Sequence, residues 1–145
     1  MYHSLIMLAW HCLVGCSQKK NNSTPSLMEK QEVSYDVFWI PYTAYSLNEY
    51  KDRPKLVYVT ADWCLTCVQL EQDVLLQPAI TEALHERNFI AFRADWSNSD
   101  PEVTALLEKY QSEILPFLVI MKPDKVDVVL NDNFKQKELR TLLLD

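Results

Sequence analysis

The sequence contains almost no glycine: Gly15 is the only one in 145 residues. Average usage of about 7% would give roughly ten in a chain of this length. Three loops depend on glycine where the backbone must turn sharply or approach a ligand closely: the G-x-G-x-x-G dinucleotide loop, the phosphate-binding P-loop and the EF-hand loop. We therefore exclude these three kinds of site.

Clusters of basic residues are also missing. The chain has 14 Lys and Arg against 20 Asp and Glu, a net charge of −6, and no basic run exceeds two residues. Nucleic-acid binding needs Lys and Arg grouped on one surface, so we expect no nucleic-acid partner. The apolar fraction of 48% is ordinary for a soluble protein, and a chain of this length can bury one sizeable core. We expect one globular domain that holds no cofactor.

Residues 1–16 form a separate segment without Asp, Glu, Lys or Arg. Its apolar run, Leu5 to Val14, is about ten residues long, whereas a helix that crosses a bilayer needs roughly 20. A run of this length is typical of a secretory signal peptide. The segment departs from that pattern because its start has no Lys or Arg and because His11 interrupts the run. An uncleaved amphipathic leader, or a start codon assigned at the wrong place, is the alternative.

The end of this segment, Leu13-Val14-Gly15-Cys16, resembles the lipobox of bacterial lipoproteins. The resemblance implies that residues 1–15 are a signal peptide, that the lipobox spans residues 13–16, and that Cys16 carries a lipid anchor. Ser17 differs from the aspartate associated with retention in the inner membrane, which favours the outer membrane. The expected location is the bacterial cell envelope, on a membrane and facing the periplasm.

A polar stretch follows this segment. Residues 16–36 predict a flexible tether, because Ser17–Ser26 contains no large apolar residue. The folded domain is expected over residues 37–145. After cleavage and lipidation, the chain would keep two free thiols, those of Cys64 and Cys67.

Apolar runs and helical stripes alternate along the predicted domain. Their order is strand-helix-strand-helix-strand-helix-strand-strand-helix, which predicts an α/β fold with a central mixed sheet and helices on both faces. Strands are expected at 37–40, 56–60, 89–94, 117–121 and 126–130, and helices at 47–51, from about 63, at 78–87, from 101 and at 134–143.

The helix expected from about residue 63 carries a stripe of apolar residues that predicts a buried face. Asp62 is the candidate N-cap of this helix. The residues of the stripe are Leu65, Val68, Leu70, Val74 and Leu75.

The candidate reactive groups of the sequence are the two cysteines in the segment Trp63-Cys64-Leu65-Thr66-Cys67. A position after a strand and at the start of a helix stabilises the Cys64 thiolate through the first-turn N–H groups and the helix dipole. One helical turn brings Cys67 within reach of a disulfide, so Cys64 can attack a substrate disulfide and Cys67 can resolve the mixed disulfide. A structural disulfide and half of a metal site are the alternatives; no metal ion is expected.

The segment Thr60-Ala61-Asp62-Trp63-Cys64-Leu65-Thr66-Cys67 resembles the active site of the C-terminal, thioredoxin-like domain of the DsbD family of thiol:disulfide interchange proteins. The likeness spans roughly residues 37–145. It continues through three further segments: Leu76–Ile80, Ala94–Asp100 and Leu115–Phe117.

This resemblance implies a thioredoxin-like fold and a protein-disulfide reductase. Cys64 is then the nucleophile, Cys67 the resolving thiol, and the two form the redox disulfide. Pro116 is implied to follow a cis peptide bond, and with Trp63 and Leu115 to line the substrate groove.

The resemblance also implies partners. Oxidised envelope proteins would be the substrates, and a separate membrane protein would donate the electrons. We expect the chain itself to be monomeric.

Glu71 matches a glutamate that the DsbD family keeps near the buried cysteine. A partly buried carboxylate there would take up or release the Cys67 proton, which makes Glu71 the candidate proton carrier. The second acid of the family, six residues before Cys64, is Tyr58 in this sequence.

Two other functions fit the same cysteines. The first is a thiol oxidase or isomerase, because reduction potentials of related dithiols span roughly −270 to −120 mV and the residues between the cysteines do not fix the direction. The second is a Cu(I)-binding or delivery module, because Cu(I) prefers thiolate ligands.

Overall fold

Strands and helices alternate along residues 36–131 and 134–145, which are the residues that the computed structural model describes. The predicted signal peptide, the lipobox with Cys16 and nearly all of the predicted tether lie outside them. The strands are β1 (Trp39–Pro41), β2 (Lys55–Thr60), β3 (Ile90–Asp95), β4 (Phe117–Met121) and β5 (Val128–Leu130), and the helices are α1 (Ala44–Glu49), α2 (Leu65–Leu70), α3 (Pro78–Glu86), α4 (Pro101–Lys109) and α5 (Gln136–Leu144).

The five strands form one mixed sheet in the order β1-β3-β2-β4-β5. β1, β3 and β2 are parallel, whereas β4 runs antiparallel to β2 and β5 antiparallel to β4. The predicted α/β fold with a mixed sheet is therefore confirmed, and β1 lies at a sheet edge, as its terminal Pro41 indicates. No helix within the described ranges is long and apolar enough to cross a membrane.

The core has two layers, one on each face of the sheet. Leu56 and Tyr58 of β2 point into a layer covered by α2, α3 and α5, and the alternate residues Val57 and Val59 point into a layer covered by α4. All six residues of β2 are buried, because β2 is central and has helices over both faces. β2 therefore ends in a rigid environment, directly before the two cysteines.

The second half of the β4–β5 hairpin is shorter than the sequence predicts. β5 begins at Val128 rather than at residue 126, and Val126 is 89% exposed. The turn itself lies where predicted: the Lys125 N–H donates to the Lys122 carbonyl at 3.3 Å, and Asp124 has φ of 61°. Because β5 starts later, the connection runs from residue 122 to 127 instead of from 122 to 125.

Ordinary residues occupy the left-handed backbone positions that glycine usually fills. Asn88 and Gln111 do so just after α3 and α4, where a left-handed residue commonly ends a helix. Ser99 has φ of 54°, and Asp124 forms the hairpin turn. Asn and Asp tolerate this conformation better than other residues with a Cβ. The scarcity of glycine thus does not remove these turns from the fold.

Candidate active site

Cys64 and Cys67 lie at the N-terminus of α2, at the carboxyl end of the central strand. The structure joins them in a disulfide with an S–S distance of 2.04 Å and a Cα–Cα distance of 5.2 Å. Cys67 is completely buried, and Cys64 is 6% exposed. Cys64 is therefore the cysteine that lies nearer to solvent.

Cys64 itself is the N-cap of α2. Its sulfur accepts a hydrogen bond from the Cys67 N–H at 3.2 Å, and the helix begins at Leu65. The prediction that Asp62 caps this helix is wrong, because α2 starts two residues later than expected. With the sulfur in the cap position, the first-turn N–H groups and the positive end of the helix dipole act directly on Cys64.

The Asp62–Trp63 loop is held by the segment that follows β3. The Asp62 N–H donates to the Ser97 hydroxyl at 2.8 Å, and the Trp63 indole N–H donates to the Ser97 carbonyl at 3.4 Å. Trp63 also packs against Trp96, with ring centroids 6.3 Å apart. Sequence reasoning did not single out Ser97, although it lies in the Ala94–Asp100 stretch that resembles the DsbD family.

Ser97 is in turn fixed by Asp95. The Asp95 carboxylate accepts hydrogen bonds from the side chain and the backbone N–H of Ser97, which lower the pKa of Asp95 below its usual value. These contacts connect the end of β3 to the loop that precedes Cys64.

The Leu115–Pro116 peptide bond is cis, as the resemblance implies. Phe117, the next residue, pairs with Val59 across β4 and β2. Pro116 therefore lies beside the end of β2, from which the cysteine segment leaves the sheet. Leu115 packs against the core cluster that contains both cysteines.

Several apolar side chains close in sequence to the two cysteines or to the cis-proline segment are exposed. Leu65 is 84% exposed, Trp63 and Ile114 are more than half exposed, and Val68 is 46% exposed. The predicted buried stripe is therefore wrong at Leu65 and Val68 and correct at Leu70, Val74 and Leu75.

Tyr58 lies directly behind the disulfide. Its side chain is completely buried, and its hydroxyl donates to the Cys67 carbonyl at 3.0 Å. The same carbonyl accepts from the Glu71 N–H. Burial, and to a smaller extent the nearby Glu71 carboxylate, raise the pKa of Tyr58 above that of a free tyrosine. Tyr58 thus remains a hydrogen-bond donor at neutral pH.

Glu71 lies where α2 passes into a π-helical turn, Glu71–Leu75. Such turns are frequent at functional sites. The Glu71 carboxylate is 23% exposed and accepts from the Arg93 guanidinium at 2.7 Å. Arg93 was not singled out from the sequence. The signal available was a single basic residue inside the otherwise apolar strand β3 before Asp95.

His, Cys, Asp and Glu side chains do not gather in groups of three or more that could hold a metal ion, over the ranges that the structure describes. The reactive groups of this site are two cysteines at disulfide distance.

Comparisons with known proteins agree with this geometry. A family model described as thioredoxin-like matches residues 43–123, which is more than half of the chain. The thiol:disulfide interchange protein DsbD of Neisseria meningitidis serogroup A is 30% identical over 79 residues, 54% of this chain and 13% of that protein. The chain therefore spans a small part of the length of the curated relatives that it matches.

Solved structures place the likeness in one part of DsbD. The oxidised C-terminal domain of N. meningitidis DsbD matches with a TM-score of 0.54 and 27% identity, covering 68% of this chain and 84% of that domain. A thioredoxin from Thermus thermophilus matches with a TM-score of 0.59 and 23% identity, covering 74% of this chain and 84% of that one. The second match supports the fold alone.

Proposed function

The chain belongs to the thioredoxin-like family, and from that premise we propose that it is a thiol:disulfide oxidoreductase whose nucleophile is Cys64. The observation that carries the proposal is the disulfide between Cys64 and Cys67, with the sulfur of Cys64 in the N-cap position of α2. A helix N-terminus favours the thiolate, which is the form that attacks disulfides.

The proposed exchange has two steps. The Cys64 thiolate attacks one sulfur of a substrate disulfide, forms a mixed disulfide and releases the other substrate sulfur as a thiolate, which takes a proton from water. The Cys67 thiol then loses its proton, with Glu71 as the proposed acceptor, and attacks the sulfur of Cys64. The Cys64–Cys67 disulfide forms, the second substrate thiolate leaves, and the substrate has gained two electrons.

The proposed substrate is a disulfide in another protein. The exposed side chains of Trp63, Leu65 and Ile114 offer apolar surface beside the disulfide. Leu115 precedes the cis Pro116 at the start of β4, and its backbone is proposed to pair with an extended substrate segment as a strand does. A polypeptide can use both the apolar surface and the backbone groups, whereas a small thiol can use neither fully.

We propose the reductive direction, which rests on the likeness to the DsbD C-terminal domain. Equilibration with a thiol buffer of known potential, read out by alkylation of Cys64 and Cys67, tests it. The expected reduction potential lies near that of thioredoxin, about −270 mV, because a reductase must be a stronger reductant than its substrates. A potential near about −120 mV, that of the strong oxidant DsbA, would show that the protein is an oxidase instead.

The proposed location is the bacterial cell envelope, with a lipid on Cys16 and a separate membrane protein as electron donor. Cys16→Ser removes the only sulfur that the lipobox-like segment offers for lipidation, so we expect most of the protein to leave the membrane fraction. Cell fractionation with an immunoblot measures this change.

The matched control for this experiment is Cys12→Ser, four residues earlier in the same segment. This variant should stay with the membranes, since Cys12 would be removed with the signal peptide. Retention of the Cys16→Ser protein in the membrane fraction would rule out the lipid anchor.

A further inference from the structure

Three side chains from different elements meet behind Cys67. Tyr58 of β2 and Arg93 of β3 are direct neighbours in the parallel register of these two strands. Glu71 begins the π-helical turn after α2, one helical turn beyond Cys67, and accepts from Arg93 at 2.7 Å. The Tyr58 hydroxyl donates to the Cys67 carbonyl. The resolving cysteine and the candidate proton carrier are thus both held from the sheet.

Tyr58 cannot itself receive the proton of Cys67 at neutral pH. A buried phenol keeps its proton there, because burial disfavours the charged form, and the pKa of Tyr58 is raised for this reason. The Glu71 N–H donates to the Cys67 carbonyl, and the Glu71 carboxylate acts on the Tyr58 hydroxyl that donates to the same carbonyl. We therefore take the Glu71 carboxylate as the proton acceptor. Whatever fixes that carboxylate then also governs the second step of the exchange.

We propose that Arg93 is a positioning residue for the resolution step: its guanidinium holds the Glu71 carboxylate in the orientation in which it receives the Cys67 proton. This inference rests on the proposed disulfide exchange. It assigns to Arg93 a part in the reaction, carried by a contact between residues 22 positions apart in sequence.

The charged side chains that act on the Tyr58 hydroxyl lie on two elements, the π-helical turn and β3. Glu71 and Arg93 are the charged groups that act on the Tyr58 hydroxyl, and Asp95, two residues farther along β3, is also influenced by Arg93. The helices α3 and α5 also contact the π-helical turn. Their buried residues do not titrate: Ile80, Thr81, Ala83, Leu84, Leu139 and Leu143.

The ion pair is accessible to mutation. The Arg93 side chain is 44% exposed, and an exposed ion pair contributes little to stability. Arg93→Met keeps most of the aliphatic stem and removes the charge, so the variant should fold. Arg93→Lys keeps the charge and is the conservative control.

All proteins in this test, the otherwise unaltered one included, carry Cys12→Ser and Cys16→Ser, so that Cys64 and Cys67 are their only thiols. The reduced protein is mixed with an equimolar amount of the aromatic disulfide dithiobis(nitrobenzoate), and release of the coloured thiol is followed at pH 7. In the first phase, Cys64 attacks the reagent and releases one aromatic thiol. In the second phase, Cys67 attacks the mixed disulfide, releases the other aromatic thiol and leaves the Cys64–Cys67 disulfide. The two phases separate the nucleophile from the resolving thiol.

Arg93→Met should slow the second phase and leave the first unchanged. Without the guanidinium, which contacts the Glu71 carboxylate at 2.7 Å, the carboxylate is no longer held in one orientation. The second-phase rate should then fall by roughly tenfold, because misplacing a reacting group by about 1 Å can cost up to about a hundredfold. Arg93→Lys should restore most of the rate. Glu71→Gln should also slow the second phase, and adding Arg93→Met to it should cause no further loss, because Arg93 acts through Glu71.

Two results would overturn the assignment of Arg93. One is a second phase in Arg93→Met with the same rate as in the unaltered protein. The other is an equal slowing by Arg93→Met whether position 71 is Glu or Gln. If the unaltered protein itself shows no second phase, disulfide exchange fails and the proposed function fails with it, which the unaltered protein alone reveals.

Discussion

Alanine at position 67 is expected to stop turnover and to leave the substrate attached to the protein. Cys67→Ala removes the thiol that attacks the mixed disulfide, while Cys64 keeps its position at the N-terminus of α2. Catalytic disulfide reduction should fall by at least about a thousand-fold, the scale on which a reaction fails when one member of a catalytic unit is removed. Insulin reduction measures the turnover, and non-reducing electrophoresis measures the covalent adduct.

The matched control is Cys64→Ala. Both variants lose turnover, but only Cys67→Ala should form adducts, because Cys67 is completely buried and cannot reach a disulfide of another protein. The adduct must disappear when a reductant is added. If Cys67→Ala forms no adduct with any envelope protein, or if Cys64→Ala forms as many, the assignment of Cys64 as nucleophile is incorrect.

The same trapping experiment identifies the partners. Polypeptides released from Cys67→Ala by a reductant are either substrates or the electron donor. The reduction potential then separates these two groups, because electrons flow from the donor with the lower potential to the substrate with the higher one.

The fold could be predicted because its buried strands are continuous apolar runs. The run from Leu56 to Thr60 is a buried strand in the sequence pattern and in the structure, since a central strand covered on both faces is mostly apolar. Pro101 at the first position of α4 and Asp100 before it mark a helix start that the structure contains, with the Asp100 carboxylate accepting from two backbone N–H groups.

The face of the active-site helix could not be predicted from its apolar residues. Leu65 and Val68 fit a helical stripe together with Leu70 and Val74, yet they lie on the solvent side. Periodicity assumes that apolar residues are buried in the same molecule. The proposed substrate surface violates that assumption, so the pattern fails at these two residues.

The neighbourhood of Cys67 was predicted only in part. The sequence places Glu71 one helical turn from Cys67, and the resemblance to DsbD draws attention to Tyr58. The contact from Arg93 depends on the register between β2 and β3, which local sequence does not specify. Contacts of this kind are set by tertiary packing. The local motif gives the position of the site in the sequence but not these contacts.

The active-site helix and the turn after it are stabilised by their buried side chains. Two adjacent leucines, one buried and one exposed, can test this contribution. Leu75, at the end of the π-helical turn, is completely buried in the cluster that contains Cys67 and Leu139. Leu76 is the next residue and is 56% exposed. The two positions carry the same side chain in nearly the same place in the chain, so they form a matched pair.

Leu75→Ala should lower the free energy of unfolding by about 2–5 kcal/mol, because it removes buried methyl groups and leaves a cavity that the rigid sheet behind it cannot fill. Leu76→Ala should change the same quantity by less than about 0.5 kcal/mol. Urea denaturation of the oxidised proteins measures both values with the Cys64–Cys67 disulfide held constant. Since domains are stable by only about 5–15 kcal/mol, the first loss is a large share of the total. Equal losses in the two variants would mean that the turn behind the cysteines does not pack in the core as described.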